Sequence, residues 1–318
     1  MHTILMQMSL LMLCGAVWRM FKPAGLDATQ TRLVLTTVVY YLLLPALVLE
    51  VLWRADIGLQ SVWYTLLGVA SVVFSLLCMW LIGLVFRFKN ARMGAMLLAS
   101  AFPNVTYLGL PVLQQVFGTW ANSVVIQMDL FATTPALFTL GSLLARHYGE
   151  EAPQQQKNWL AYFNAPPFWA AALAVALNLN GVKMPDWLAG SLHTLSAGVV
   201  PLMLFSLGLA LSWRSLTLAN LPNVLPVIVI KMGLMPLFAY FLVGHLGLPD
   251  HYQAAAVLDL AMPSMVLGIV LCDRYKLDSA LYAMMVTVTT ALSLITLPLW
   301  HQVLTRLPGI PLLPLNLN

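Results

Sequence analysis

Charge is scarce in this chain. Asp, Glu, Lys and Arg make up 8% of its 318 residues, against 61% hydrophobic residues and a mean hydropathy of +0.87. A soluble domain carries about 25% charged residues, so a chain this poor in charge cannot cover its own surface in water. That excludes an ordinary globular domain and makes the bilayer the solvent. Cysteine is scarce too. Cys14, Cys78 and Cys272 sit in apolar runs, without metal-ligand spacing or an evident disulfide partner, and read as small hydrophobes. GxSxG, HExxH and GxxxxGK[ST] are all missing, and the six histidines lie near the ends of apolar runs; this argues against an enzyme or an ATP-driven pump. The net charge of +4 and pI near 9.0 do not signal nucleic acid, because the basic residues are scattered instead of forming one patch.

What is present is a series of apolar runs, each long enough to span a hydrocarbon core of about 30 Å. Ten are expected, at 3–21, 33–52, 61–86, 94–116, 122–146, 159–180, 189–211, 223–246, 252–272 and 279–304. No Lys or Arg precedes the first, which therefore reads as a helix and not as a removed signal peptide. The longest polar stretch, His147 to Asn158, falls near the midpoint with five spans on either side. An odd number of spans per half turns the second half over, which predicts an inverted repeat: 1–147, a cytoplasmic linker at 148–158, and 159–318. The prolines agree, since Pro201 follows Pro45 by 156 residues and Pro263 follows Pro103 by 160. With the N-terminus outside, eleven Lys and Arg residues fall on the cytoplasmic side and three (Arg54, Lys183 and Arg306) on the other. This bias predicts both termini on the non-cytoplasmic side of a multi-pass membrane protein. Tryptophans such as Trp18, Trp53, Trp120, Trp187 and Trp300 mark the interfacial belts and not a cofactor site.

Spans four and nine carry the strongest local signal. Proline in a helix interior removes a hydrogen bond and clashes with the preceding turn, at about 3 kcal/mol or more. Pro103 is followed by Asn104, Thr106, Gly109 and Pro111, and Pro263 by Ser264 and Gly268; Pro103, Gly109, Pro111, Pro263 and Gly268 are the expected helix disruptors. Each of Pro103 and Pro263 lies 11 residues past a polar boundary residue, Arg92 or Tyr252. At about 1.5 Å per residue both breaks fall near the midplane, where opposed broken helices are expected to cross. Half-helix N-termini there suit an anion, and freed carbonyls suit a cation.

Four ionisable residues fall within spans: Glu50, Asp129, Lys231 and Asp259. Glu50, near Trp53 and Arg54, reads as an interfacial carboxylate. Insertion of Asp or Lys at a helix centre costs about 2.5–3.5 kcal/mol, so such residues face the bundle interior. Two readings stand for Asp129, Lys231 and Asp259. In one, at least one Asp pairs with Lys231 and titration of the pair couples transport to protons. In the other, the pair is a static structural one. Sodium is a further coupling ion that carboxylate and carbonyl oxygens suit, although no sodium-specific motif is present.

The stretch AFPNVTYLGLPVL, most specifically Phe102–Pro111, resembles the auxin efflux carrier family, as do the short central loop and the five-plus-five plan. The short loop resembles the bacterial, malonate-transporter-like branch. The resemblance covers essentially the whole chain. It implies an all-α integral membrane fold like that of the bile-acid–sodium symporters, with spans 1, 2, 6 and 7 as a scaffold and spans 3–5 and 8–10 as a moving transport domain. It also implies a binding site at the crossing of spans 4 and 9, a small organic anion as substrate, and a homodimer formed through the scaffold in a bacterial cell membrane. Asn104, Thr106 and Ser264 would then hydrogen-bond substrate, or else satisfy broken backbone. Tyr40 and Tyr41 would face substrate from the scaffold, or else pack. Asn122 and Asn178 read as boundary residues. The function expected is a secondary carrier working by alternating access without a cofactor; an anion channel or a membrane receptor are the rivals. The exact substrate, its direction and the coupling ion are left open.

Overall fold

The computed structural model describes residues 2–55, 57–149, 165–210 and 220–305. The linker at 148–158 lies, beyond Gly149, outside the described residues, as do Lys157, Arg214 and Arg306 of the charge count. Every named element is helical: α1 His2–Phe21, α2 Ala28–Trp53, α3 Leu59–Phe86, α4 Asn90–Ala101, α5 Val105–Phe117, α6 Ala121–Tyr148, α7 Pro166–Leu179, α8 Asp186–Ala210, α9 Leu221–Val243, α10 Asp250–Leu260, α11 Gly268–Arg274 and α12 Ser279–Leu304. Six of them (α2, α3, α6, α8, α9 and α12) are long and apolar enough to cross a membrane. Their outer faces are greasy: Leu33, Leu81, Leu84 and Phe86 are exposed, as expected of side chains bathed in lipid.

The helix ends follow local chemistry. Asp27 caps α2 by accepting the Thr29 N–H at 2.9 Å. Asp278 caps α12 through the Leu281 N–H at 3.0 Å and pairs with Arg92 at 3.5 Å, tying the start of α12 to the start of α4. Asn178 does more than mark a boundary. Its amide donates to the carbonyls of Leu52, Trp53 and Ala55 at 3.2, 3.0 and 2.8 Å, closing the frayed end of α2 with a side chain from α7.

Wide π-helical turns recur inside the long helices, at Val39–Leu43, Val105–Gly109, Asp129–Thr133, Leu137–Gly141 and Val229–Leu234. Four of the five end two residues before a proline: Pro45, Pro111, Pro135 and Pro236. A proline ring clashes with the carbonyl four residues back and offers it no N–H. Widening the preceding turn moves that carbonyl aside and lets the helix continue. Pro111 is therefore not the helix breaker expected from the sequence. It sits in the first turn of a resumed α-helix, where its missing N–H costs little.

The helices pack in two groups. In one, α1 packs on α8, α8 on α2 and α2 on α7; α3, α4, α6, α9, α10 and α12 form the other group, with α5 between it and α8. Backbones approach closely where α1 crosses α8. A Cβ built on Gly15 would fall on the Phe205 carbonyl, and one built on Gly208 on the Met12 carbonyl. Small residues permit such contact between membrane helices.

Candidate functional site

Both proline-interrupted segments are unwound as the sequence predicts, and they cross. Pro103 and Ser264 form an antiparallel bridge. The Asn104 N–H donates to the Pro263 carbonyl at 2.8 Å, and the Met265 N–H donates to the Phe102 carbonyl at 2.9 Å. This corrects one expectation. These carbonyls are not free to hold a cation, because each break supplies what the other lacks. Backbone polar groups deep in a membrane must find a partner inside the protein, and here two breaks at one level solve the problem jointly. The Asn104 carbonyl is occupied as well, accepting the N–H groups of Leu108 and Gly109.

Ser264 belongs to the same repair. Its hydroxyl donates to the Ala99 carbonyl at 2.7 Å, and its N–H donates to Thr289 Oγ1 at 3.2 Å. Of the two readings of Ser264, the structure displays the one in which it satisfies broken backbone. Ser264→Ala is therefore expected to lower stability by about 1 kcal/mol, the worth of one hydrogen bond. Substrate affinity should stay within roughly twofold, a free-energy change below about 0.5 kcal/mol. Thermal melting in detergent and a concentration series of uptake would check both.

The side chains around the crossing are more telling than its backbone. Thr106 donates to Asp129 Oδ2, and Thr134 donates to Asp129 Oδ1 at 2.7 Å. Asp129 and Thr106 lie in π-turns of α6 and α5, and Lys231 lies in the π-turn of α9. Such turns often accompany functional sites because they rotate a side chain out of the regular helical register. Lys231 is fully buried, and its ammonium meets Met235 Sδ at 2.9 Å. The expected contact pair between Lys231 and an aspartate is not formed. Among the described residues the close contacts between a basic side chain and a carboxylate are Arg92–Asp278 and His193–Glu50. Lys231 and Asp259 are still near enough for their charges to interact, as are Asp259 and Asp129.

Asn104 and Asp259 stand out. Both are fully buried, and neither side chain has a partner for its polar atoms. A buried carboxylate left this way is costly. Gly109 explains where Asp259 goes: a Cβ at Gly109 would fall on Asp259 Oδ1. Gly109 has ordinary helical angles, φ −60 and ψ −49. It is therefore not a helix disruptor, as the sequence suggested, but the space that admits the carboxylate. Gly268 opens α11 and leaves room for the Tyr282 hydroxyl, which donates to the Met265 carbonyl at 2.6 Å.

Tyr41 is displaced from the expected site. It is 64% exposed on the outside of α2, while its neighbour Tyr40 is partly buried and packs against the core. Adjacent residues of a helix point in very different directions, so only one of this tyrosine pair can face inward.

Sequence reasoning missed the cavity beyond the crossing. It has a volume of about 650 Å³ and lies between the C-terminal part of α2, the N-terminal half of α8 and the ends of α3, α5, α6 and α10. Glu50 and His193 line one side, and Gln114, Asn122 and Gln127 another. Glu50 accepts the Ser196 hydroxyl at 2.5 Å and contacts His193 Nδ1 at 3.1 Å. Gln127 lies two residues before Asp129 on α6, about 3 Å along the helix axis; the cavity thus reaches the level of the polar cluster. The one signal in the sequence was the density of Gln and Asn at the ends of spans four and five.

Two proline-broken helices crossing inside an apolar helical bundle, with buried charges beside the crossing, define a polytopic membrane protein with a polar centre. Comparison with known proteins agrees. The family model described as "Membrane transport protein" matches residues 3–301. An uncharacterized transporter of Methanothermobacter thermautotrophicus is 31% identical over 299 residues, covering 92% of this chain and 95% of its own. Transporter MJ1031 of Methanocaldococcus jannaschii is 26% identical over 309 residues, with 93% and 96% covered. YfdV of Escherichia coli K12 is 25% identical over 225 residues, with 69% and 70% covered. The chain belongs to this membrane transport protein family, the auxin efflux carrier family.

Proposed function

We propose that this chain is a secondary carrier that moves a small organic anion, a mono- or dicarboxylate, across the cell membrane by alternating access. The observation that carries this reading is the crossing at Pro103 and Pro263, beside which Asn104 and Asp259 are buried with unpartnered polar atoms. Counting α4–α5 and α10–α11 as one interrupted passage each gives ten passages, in keeping with a five-plus-five inverted repeat. The group α1, α2, α7 and α8 serves as scaffold and the other group as the moving part. A homodimer forms through the scaffold, and both termini lie on the non-cytoplasmic side. That orientation makes the 650 Å³ cavity an outward vestibule.

The charges suggest how coupling works. Asp129, Asp259 and Lys231, when all are ionised, leave one uncompensated negative charge. An anion entering beside them is repelled until a monovalent cation joins the cluster. A proton on Asp259 serves, because its oxygens have no donor; a sodium ion is the alternative. Asn104 then offers its amide to the carboxylate, and Thr106 holds Asp129 in place.

Flux of labelled malonate and related carboxylates into proteoliposomes tests this, under an imposed pH gradient and then a sodium gradient. Saturable uptake driven by one gradient is expected, and the gradient that works identifies the ion. Flux that does not saturate would favour a channel. No flux of any carboxylate from folded protein would reject the substrate class.

A further inference from the structure

The vestibule lining offers groups that the crossing does not use. On the α2–α8 side stands the Glu50 carboxylate, whose contacts with Ser196 and His193 leave acceptor capacity on both oxygens. Facing it on α6 are two buried amide oxygens without donors, Asn122 Oδ1 and Gln127 Oε1. The Gln127 amide nitrogen already donates to Ser123 at 2.8 Å, which fixes the oxygen as the free end. Aromatic rings stand among the aliphatic side chains of the rest of the wall. Trp120 and Tyr252 meet edge to face with ring centres 5.3 Å apart, and Tyr252 meets Tyr64 at 6.3 Å; all three line the cavity. A carboxylate, unpartnered oxygens and aromatic rings around one space form the environment that stabilises an organic cation, by charge and by the negative faces of the rings. Arg54, one turn from Glu50, is the opposing charge in the lining; its guanidinium reaches Met184 Sδ at 3.5 Å.

We propose that the vestibule is a binding site for a ligand bearing an organic ammonium group, held between the Glu50 carboxylate and the rings of Trp120 and Tyr252, with the Asn122 and Gln127 oxygens as further acceptors. The ammonium belongs either to a simple organic cation or to a zwitterion whose carboxylate turns to Arg54. The site shares no side chain with the crossing cluster and does not depend on the carrier reading.

The test is equilibrium binding of radiolabelled choline and radiolabelled glycine betaine to the full chain in nanodiscs. These probes share a trimethylammonium group and differ in the carboxylate. Saturable binding of at least one probe is expected, weakened roughly tenfold or more by Glu50→Gln or Trp120→Ala, a loss in the range of a desolvated cation–π or charged contact. Betaine binding that Arg54→Gln weakens identifies a zwitterion site; choline binding without betaine binding identifies a simple cation site. Asp259→Asn, which belongs to the crossing, should leave binding of either probe intact even where it stops flux. Failure of both probes to bind the wild-type protein overturns the proposal without recourse to any variant. So does wild-type affinity in Glu50→Gln and Trp120→Ala proteins that stay monodisperse.

Discussion

Asp259→Asn is expected to cut gradient-driven carboxylate flux on the order of a hundredfold, the equivalent of about 3 kcal/mol, in the range found when one member of a buried charged set is removed. Asparagine keeps the volume, so the crossing should stay folded. What disappears is the group that takes up the coupling ion, together with the one negative charge that Lys231 does not compensate. Gly109→Ala provides a second route to the same outcome. Alanine suits the helical angles of Gly109 and by intrinsic propensity should favour the helix by about 1 kcal/mol. Its methyl would nevertheless occupy the place of Asp259 Oδ1 and force the carboxylate to move. A one-carbon substitution is therefore expected to abolish coupled flux with little change in melting temperature. Counterflow exchange without an imposed ion gradient separates the two defects: if Asp259 is the coupling group, exchange should survive in Asp259→Asn while response to the gradient is lost. Normal coupled flux in both variants would make Asp259 a bystander.

The second large effect concerns stability. Gly15→Ala or Gly208→Ala is expected to lower stability by roughly 2 kcal/mol, within the range for overpacking a tight contact. The reason is what each new methyl would meet. At Gly15 it would meet the carbonyl of Phe205, and at Gly208 that of Met12, and backbone atoms cannot turn aside as a side chain can. The two glycines share one crossing, since a Cβ on Gly15 would also lie 3.1 Å from the Gly208 Cα. Once α1 and α8 have been pushed apart by one substitution, the second should cost less, so the double variant is expected to fall short of additivity. Melting of the three proteins in the same detergent would show this. Full additivity would mean that each glycine acts through a separate contact.

Hydropathy and prolines carried much of the fold because both act locally. A run of apolar residues has to be a helix in a bilayer, whatever surrounds it, since its backbone has no other source of hydrogen bonds. Pro103 and Pro263 interrupt their helices for a reason internal to the ring. Buried charge was equally legible, and Asp129, Lys231 and Asp259 are all inside. Their pairing was not. The sequence suggested a Lys–Asp contact, but the structure gives Lys231 a methionine sulfur, gives Asp129 two threonine hydroxyls and leaves Asp259 without a donor.

Composition and order thus determined by themselves that this protein lives in a membrane and which two of its segments break. Tertiary structure decided which polar groups are spent and which are free. Ser264 and the carbonyls of Phe102 and Pro263 are consumed in repairing the breaks, Tyr41 faces outward, Gly109 is a place for a carboxylate, and six helices surround the vestibule beside Glu50. Helix formation depends on neighbours four residues away. Hydrogen-bond satisfaction in a membrane depends on neighbours more than a hundred residues away, and only packing brings those together.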